Sequence, residues 1–233
     1  MTVLRSQDIL IYSTIIDEMD RDHSWHTFTQ MEDYCSIPQL QVERGQGCWI
    51  WETEGNRYLD GNASIWTNAH GHNEPDINKA LAEQLGKIAH STYLGLSHPV
   101  GAMLGKRLAD LAPESLSRVI FSDNGSNAVE IALKLSFQFW QLVGKPEKRL
   151  VVGMENGYHG GTFGEMAAGN SDSLHGRFQP WLFESRNFAT PKCSEINGIV
   201  KHSDSDRSLL QLEKVLEREA SEIASVIIES SIQ

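Results

Sequence analysis

Residues 121–128, Phe-Ser-Asp-Asn-Gly-Ser-Asn-Ala, join a short apolar run to the start of a helical pattern. The first N–H groups of a helix have no intrahelical acceptor and carry the positive end of the helix dipole, so this junction can take an anion. Gly125 permits close backbone approach and Ser126 adds a hydroxyl donor, which makes a phosphate the natural ligand. No Gly-Lys-Ser/Thr follows, so the segment is not a P-loop, and the glycine triplet of dinucleotide-binding turns is absent. On spacing alone, an ordinary capped helix start fits these residues equally.

A second segment, Asn156-Gly157-Tyr158-His159-Gly160-Gly161-Thr162-Phe163-Gly164, follows the apolar run Leu150-Val151-Val152. It places two planar side chains among glycines where a strand ends, the side on which open α/β sheets bind ligands. Tyr158 could stack on a flat cofactor ring, and His159 could hydrogen-bond or pack beside it. A flexible loop with a buried aromatic is the plainer reading. A third candidate is Glu229, which closes Ile227-Ile228-Glu229 at the end of another apolar run; taken alone it reads as a solvated charge. His70-Gly71-His72 has too few partners for a metal site and reads as a turn. Glu213, Lys214, Glu217 and Arg218 read as a solvated helix face.

These segments need a frame. Residues 40–60 alternate apolar and polar side chains between glycine turns, which predicts a three-stranded antiparallel meander. From Glu74-Pro75 the period changes: Ile77, Leu81, Leu85 and Ile88 predict one helix, and Met103, Leu104, Leu108 and Leu111 a second after Pro99. Residues 118–122 read as a short strand. A helix is expected from about Ser126 to Leu142, largely buried, with a polar stripe in which Glu130 and Lys134 form an i,i+4 surface pair. Leu150-Val151-Val152 and residues 224–228 read as strands, and residues 206–222 as an amphipathic helix. Short apolar strands alternating with helices indicate the α/β class with a mainly parallel sheet.

Composition bounds the possibilities. The 233 residues carry 20 Lys+Arg against 31 Asp+Glu, a formal charge of −11, with 40% hydrophobic and 22% charged residues. Those proportions exclude a wholly disordered or fibrous chain, and the acidic balance argues against a nucleic-acid backbone as partner. Cys35, Cys48 and Cys193 are odd in number and lack metal spacing, which fits a reducing, cytoplasmic setting. No run reaches the ~20 apolar residues of a membrane-spanning helix, and the first ~20 residues lack the features of a signal peptide and read as an amphipathic arm or frayed terminus.

Together the segments resemble the class III, pyridoxal-5′-phosphate-dependent aminotransferases, from about Trp25 to the last residue. Five blocks match in order: Trp25 to Met31, Tyr58 to Gly61 with Trp66 to Asn73, Ser122 to Lys134, Gly157 to Gly164, and Ile227 to Glu229. The resemblance implies a fold-type-I transferase, similar to aspartate aminotransferase, with residues 1–74 in the small domain and 75–233 as the first part of the large cofactor-binding domain. It implies pyridoxal 5′-phosphate as cofactor, with Gly125 and Ser126 at its phosphate, Tyr158 against its ring, His159 beside it and Glu229 in the nearby hydrogen-bond network. Phe28, Ile65, Trp66 and Tyr158 would border the substrate.

Within the family the resemblance is to the biotin-synthesis branch. That implies S-adenosylmethionine as amino donor, 8-amino-7-oxononanoate as keto acceptor, and a homodimer in which residues 92–100, with Ser97 and His98, approach the partner's active site. Three positions depart from the pattern. Phe28 replaces a usual Tyr, Ile65 replaces the first of two Trp, and Gly161 stands where that branch usually has Asp. All three bear on the substrate end and none on the phosphate end. Phe28 and Ile65 keep an ω-amino-acid or diamine aminotransferase open, and a non-catalytic interaction protein is the alternative outside catalysis. The family's chemistry also needs a lysine that bonds to the cofactor aldehyde and an acid at the pyridinium nitrogen, both expected downstream of Glu229. None of the nine lysines here sits in the matching context, so the chain alone is expected to be inactive.

Overall fold

The computed structural model describes residues 6–169, 175–191, 193–196, 199–202 and 205–230. The chain divides into two compact units, Met1–Gly101 and Ala102–Gln233. Among the described residues, no helix is long and apolar enough to cross a membrane.

The first unit begins with α1 (Ser6–His23) and α2 (Met31–Ser36). They are tied by Asp20, whose carboxylate accepts from the Tyr34 hydroxyl at 2.6 Å and faces His26 Nε2 at 3.0 Å. The Tyr34 and His26 rings lie 4.2 Å apart. The meander follows as expected: β1 (Val42–Gln46), β2 (Trp49–Glu52) and β3 (Arg57–Leu59) pair antiparallel in that order. Its register sets Trp51 opposite both Arg44 and Arg57. Two guanidinium groups lie over indole rings, Arg44 over Trp51 at 3.9 Å and Arg57 over Trp49 at 4.1 Å. Contacts of this kind contribute about 0.5–1 kcal/mol each at exposed sites. Next come the single turn α3 (Ala63–Trp66) and α4 (Pro75–Leu85), the latter with Pro75 in its first turn and the Glu74 carboxylate capping it.

The helix α5 (Pro99–Leu111) leads into the second unit, which continues with α6 (Gly125–Leu142), β4 (Leu150–Met154), α7 (Phe163–Gly169), β5 (Ser185–Phe188), β6 (Cys193–Ile196), β7 (Ile199–His202), α8 (Ser205–Glu219) and β8 (Ile223–Val226). The sheet order is β5-β4-β8, and both pairings are parallel, as the alternation of strands and helices predicted. Every residue of the central strand β4 is buried. Leu150, Val152, Met154, Phe188 and Ile223 form the core, covered on one side by Leu212, Val215 and Leu216 of α8. This is the amphipathic helix expected at 206–222, and Glu213, Lys214, Glu217 and Arg218 lie on its exposed face. The β6-β7 hairpin and β5 were not anticipated.

Three expectations change. Residues 118–122 do not form a strand; an apolar run supplies a face to bury, but a strand also requires ladder pairing, and the described sheet extends no ladder to this segment. The helix α6 is not largely buried: Leu135, Phe137, Phe139 and Leu142 are all exposed. Only one stripe of it docks, through the Trp140 indole N–H and the Ser136 hydroxyl, which donate to the Ala224 carbonyl at 2.8 and 3.2 Å. A groove of about 940 Å³ runs along its flank between Leu133, Phe137, Leu150 and Phe183. The last strand ends at Val226, although the Ile227 N–H still donates to the Val152 carbonyl at 2.8 Å.

Two measurements test this frame. Val152 is fully buried at the centre of the sheet, and Val152→Ala is expected to lower the free energy of unfolding by about 2 kcal/mol through lost burial and an unfilled cavity. A loss under about 0.5 kcal/mol in urea titration contradicts the assigned core. In the first unit, burial and then the Asp20 carboxylate push the Tyr34 hydroxyl up to about 12. The folded state therefore favours the neutral phenol, and this contribution is whole below the ordinary tyrosine value of about 10 and lost as pH rises toward 12. Spectrophotometric titration, with Tyr34→Phe to identify the signal, is expected to show the raised midpoint, lowered again in Asp20→Asn. A Tyr34 midpoint at 10 in the unaltered chain contradicts the contact.

Candidate functional site

Three of the expected segments meet at the C-terminal edge of the parallel sheet. Strand β4 turns out of the sheet after Met154, where the Gly157 N–H donates to the Met154 carbonyl at 3.1 Å. Asn156 holds a left-handed φ of 61° in this turn, a conformation Asn tolerates better than most residues. Strand β8 runs parallel to β4, so Glu229 emerges at the same edge. Its carboxylate accepts a hydrogen bond from the Tyr158 backbone N–H at 2.9 Å, a specific tie that the sequence pattern alone did not reveal.

The start of α6 supplies the third element. Asn124 caps the helix by accepting from the Asn127 N–H at 2.9 Å. Among the described residues, no acceptor faces the N–H groups of Gly125 and Ser126. Nothing lies within 4 Å of where a Gly125 Cβ would stand, so this end is open to an anion as the sequence suggested.

The loop and the helix start are in contact. At Gly160 the backbone has φ +139°, and a Cβ there would stand 2.4 Å from Ser126 Oγ and 1.8 Å from Glu165 Oε2. Only glycine fits, because both the conformation and the space exclude a side chain. Gly161 differs: nothing lies within 4 Å of its Cβ position, so a side chain has room there.

The Tyr158 ring is half-exposed, and on one side it stacks with His175 at 6.1 Å between centroids and 27° between planes. His175 and Glu165 are buried. Both ring nitrogens of His175, Nε2 of His159 and Oε1 of Glu165 lack hydrogen-bond partners among the described residues. Burial lowers the pKa of both histidines, opposed by Glu229 and Glu165 at His159 and by Glu165 at His175. A lowered imidazole pKa keeps both rings neutral near pH 7, able to hydrogen-bond or stack without adding charge.

Glu130 lies elsewhere than expected. Its carboxylate takes a hydrogen bond from the Thr162 hydroxyl and another from the Gly164 N–H at 2.9 Å. The i,i+4 spacing to Lys134 suggested a surface pair, but the partners come from a segment 32 residues downstream. Glu165, also missed, accepts from the Thr162 N–H at 3.0 Å. Thr162-x-x-Glu165 is a helix-start signature that could have marked both α7 and this contact.

The remaining candidates, Phe28, Ile65 and Trp66, belong to the first unit, and all three are exposed there. Each sits at positive φ: Phe28 at 52°, Ile65 at 57° and Trp66 at 65°. Such a conformation costs roughly 1–2 kcal/mol per non-glycine residue. Asp60 holds the Ile65–Trp66 turn by accepting from the Asn62 and Ser64 N–H groups, and His72 Nε2 stands 2.7 Å from the same carboxylate. The expected turn holds at His70, whereas His72 forms an isolated antiparallel bridge, exchanging backbone hydrogen bonds with Gly47 at 2.9 and 2.7 Å. No cluster of metal-ligating residues occurs among the described residues. In the segment 92–100, His98 Nδ1 accepts from the Gly101 N–H at 3.2 Å and so caps α5.

Comparison with known proteins gives a consistent result. The aminotransferase class-III family model matches residues 30–233. The adenosylmethionine-8-amino-7-oxononanoate aminotransferase of Geobacter sulfurreducens is 42% identical over 218 residues, which cover 93% of this chain and 48% of that protein. The crystal structure of the enzyme of that name from Methanocaldococcus jannaschii superposes with a TM-score of 0.82 at 34% identity, covering 91% of this chain and 46% of the other. An (S)-enantioselective omega-transaminase from Thermomicrobium roseum gives a TM-score of 0.83 at 28% identity over 92% of this chain and 48% of its own. The chain spans about half the length of the curated relatives it matches. Class III aminotransferases are pyridoxal-phosphate-dependent, act on small-molecule amino donors and acceptors, and are typically dimeric. With the family match, the parallel α/β fold and the segments gathered at the sheet edge in agreement, this chain belongs to the class III aminotransferases.

Proposed function

We propose that the chain serves pyridoxal-phosphate-dependent amino transfer in biotin biosynthesis, from S-adenosylmethionine to 8-amino-7-oxononanoate, giving 7,8-diaminononanoate. The observation that carries this reading is the meeting of an open helix start, Gly125-Ser126, with the Tyr158-bearing loop at one sheet edge. The 42% identity to a relative of that activity supports the choice of substrates.

The residues present fit the cofactor. The free N–H groups of Gly125 and Ser126, with the Ser126 hydroxyl, offer donors to a phosphate. The half-exposed Tyr158 ring, backed by His175, offers a flat face to a heteroaromatic ring. His159 stands beside it in neutral form, and Glu229 fixes the Tyr158 backbone. When bound, pyridoxal phosphate supplies the electron sink that amino transfer requires. Phe28, Ile65 and Trp66 would form the substrate side, a reducing cytoplasm the setting, and a homodimer the assembly, with residues 92–100 facing the partner. An ω-amine transaminase is the second reading, favoured by Phe28 and Ile65 and by the likeness to the T. roseum enzyme.

Two outcomes are expected of the purified chain. Pyridoxal phosphate binds saturably and non-covalently, and Ser126→Ala weakens that binding about tenfold, the effect of removing one hydrogen bond to a charged group. By the family resemblance, the lysine that bonds to the cofactor is expected outside these 233 residues, so these residues by themselves are expected to bind the cofactor without amino transfer between the two named substrates. Affinity unchanged in Ser126→Ala, or turnover by the chain alone, contradicts this account.

A further inference from the structure

The cofactor proposed above has its ring and its phosphate joined by a single CH₂–O link. The two subsites must therefore keep a fixed separation, yet they lie on different elements: the phosphate end on α6, the ring end on a loop that contains Gly157, Gly160 and Gly161 and runs into the first turn of α7 at Gly164. A loop of that composition loses much conformational entropy when ordered and has no stiffness of its own. Something outside the loop must hold it.

We propose that Glu130 is the positioning residue that locks the ring-end loop to the phosphate-end helix and so sets the spacing between the two ends of the cofactor site. Glu130 lies on α6 one turn beyond Ser126. Its carboxylate receives the Thr162 hydroxyl and the Gly164 N–H, one donor on either side of Phe163. Hydrogen bonds to an ionised acceptor are among the stronger ones in proteins. A Cβ at Gly164 would stand 2.5 Å from Glu130 Oε2, so the approach depends on glycine there. Glu165 also fastens Thr162, its carboxylate accepting from the Thr162 backbone N–H at 3.0 Å. The loop is thereby held between two carboxylates, with Gly160 pressed against Ser126. Glu130 touches neither subsite and acts through the loop.

This inference rests on the cofactor reading, and the test separates the two. The probes are inorganic phosphate, which needs only the phosphate end, and pyridoxine 5′-phosphate, which needs both ends and has no aldehyde to react with lysines. Amide hydrogen exchange at Gly164 in the free chain reports the lock without any ligand. In Glu130→Ala, pyridoxine 5′-phosphate affinity is expected to fall about tenfold, phosphate affinity to stay within twofold, and Gly164 exchange to accelerate at least tenfold. Glu130→Gln keeps an oxygen acceptor and is expected to restore both readouts to within about threefold. If Glu130→Ala does not fold, Thr162→Val removes the hydroxyl donor alone and is expected to weaken pyridoxine 5′-phosphate about threefold with phosphate unchanged. Equal weakening of both probes, unchanged pyridoxine 5′-phosphate binding, unchanged Gly164 exchange, or failure of the Gln variant to restore function overturns the proposal. Binding of neither probe by the unaltered chain overturns the cofactor reading itself and the proposal with it.

Discussion

A glycine-rich loop can present Tyr158 to a ligand only if charged groups outside the loop fix its path, and the candidate site depends on that constraint. Glu229 holds the loop where it leaves the sheet, through the Tyr158 N–H, and Glu130 and Glu165 hold it where it enters α7. All three carboxylates receive backbone or hydroxyl donors, and among the described residues none of them forms an ion pair with a lysine or arginine. They supply acceptors for N–H groups that would otherwise be stranded in a tight turn. The site is thus built by backbone satisfaction, and the net charge of the chain plays little part in it.

The sheet sets where these ties can form. Parallel strands β4 and β8 end on the same side, which brings Tyr158 and Glu229 together although 71 residues separate them. The buried β4 gives that edge its rigidity, with α7 and α8 covering its faces. The helix α6 is less well covered: Trp140 and Ser136 dock it on Ala224, while its outer aromatic residues remain exposed beside an open groove. The helix α6 therefore takes its orientation from one stripe of contacts and from Glu130, which makes the latter tie more consequential than it would be in a fully covered helix.

Much of the fold was legible because local signals and tertiary context agree. Alternating side chains and turn glycines gave away the meander, and the spacing of leucines gave away α4, α5 and α8. Where local pattern and context diverge, the reading failed. Ser185-Arg-Asn-Phe188 has no apolar alternation and is a strand only because β4 pairs with it. Residues 118–122 have the apolar character but no ladder. The helix α7 is built of Phe, Gly, Glu, Met and Ala without a 3.6-residue stripe, so periodicity could not show it. In the site, Gly125, Ser126, Tyr158, His159 and Glu229 were each visible as a helix start or strand end, and topology gathered them. Glu130 was misread because a lysine four residues on offers a plausible local partner, and sequence spacing cannot reveal a competing partner on a distant loop.

The central claim is that the start of α6 and the Tyr158 loop form one ligand site at the sheet edge. Amide chemical shifts followed by NMR during titration with pyridoxal phosphate test it most directly. The account predicts that Gly125, Ser126, Tyr158 and His159 shift together along a single saturation curve. Shifts confined to residues near surface lysines, or a helix start and loop that respond with different affinities, would contradict it.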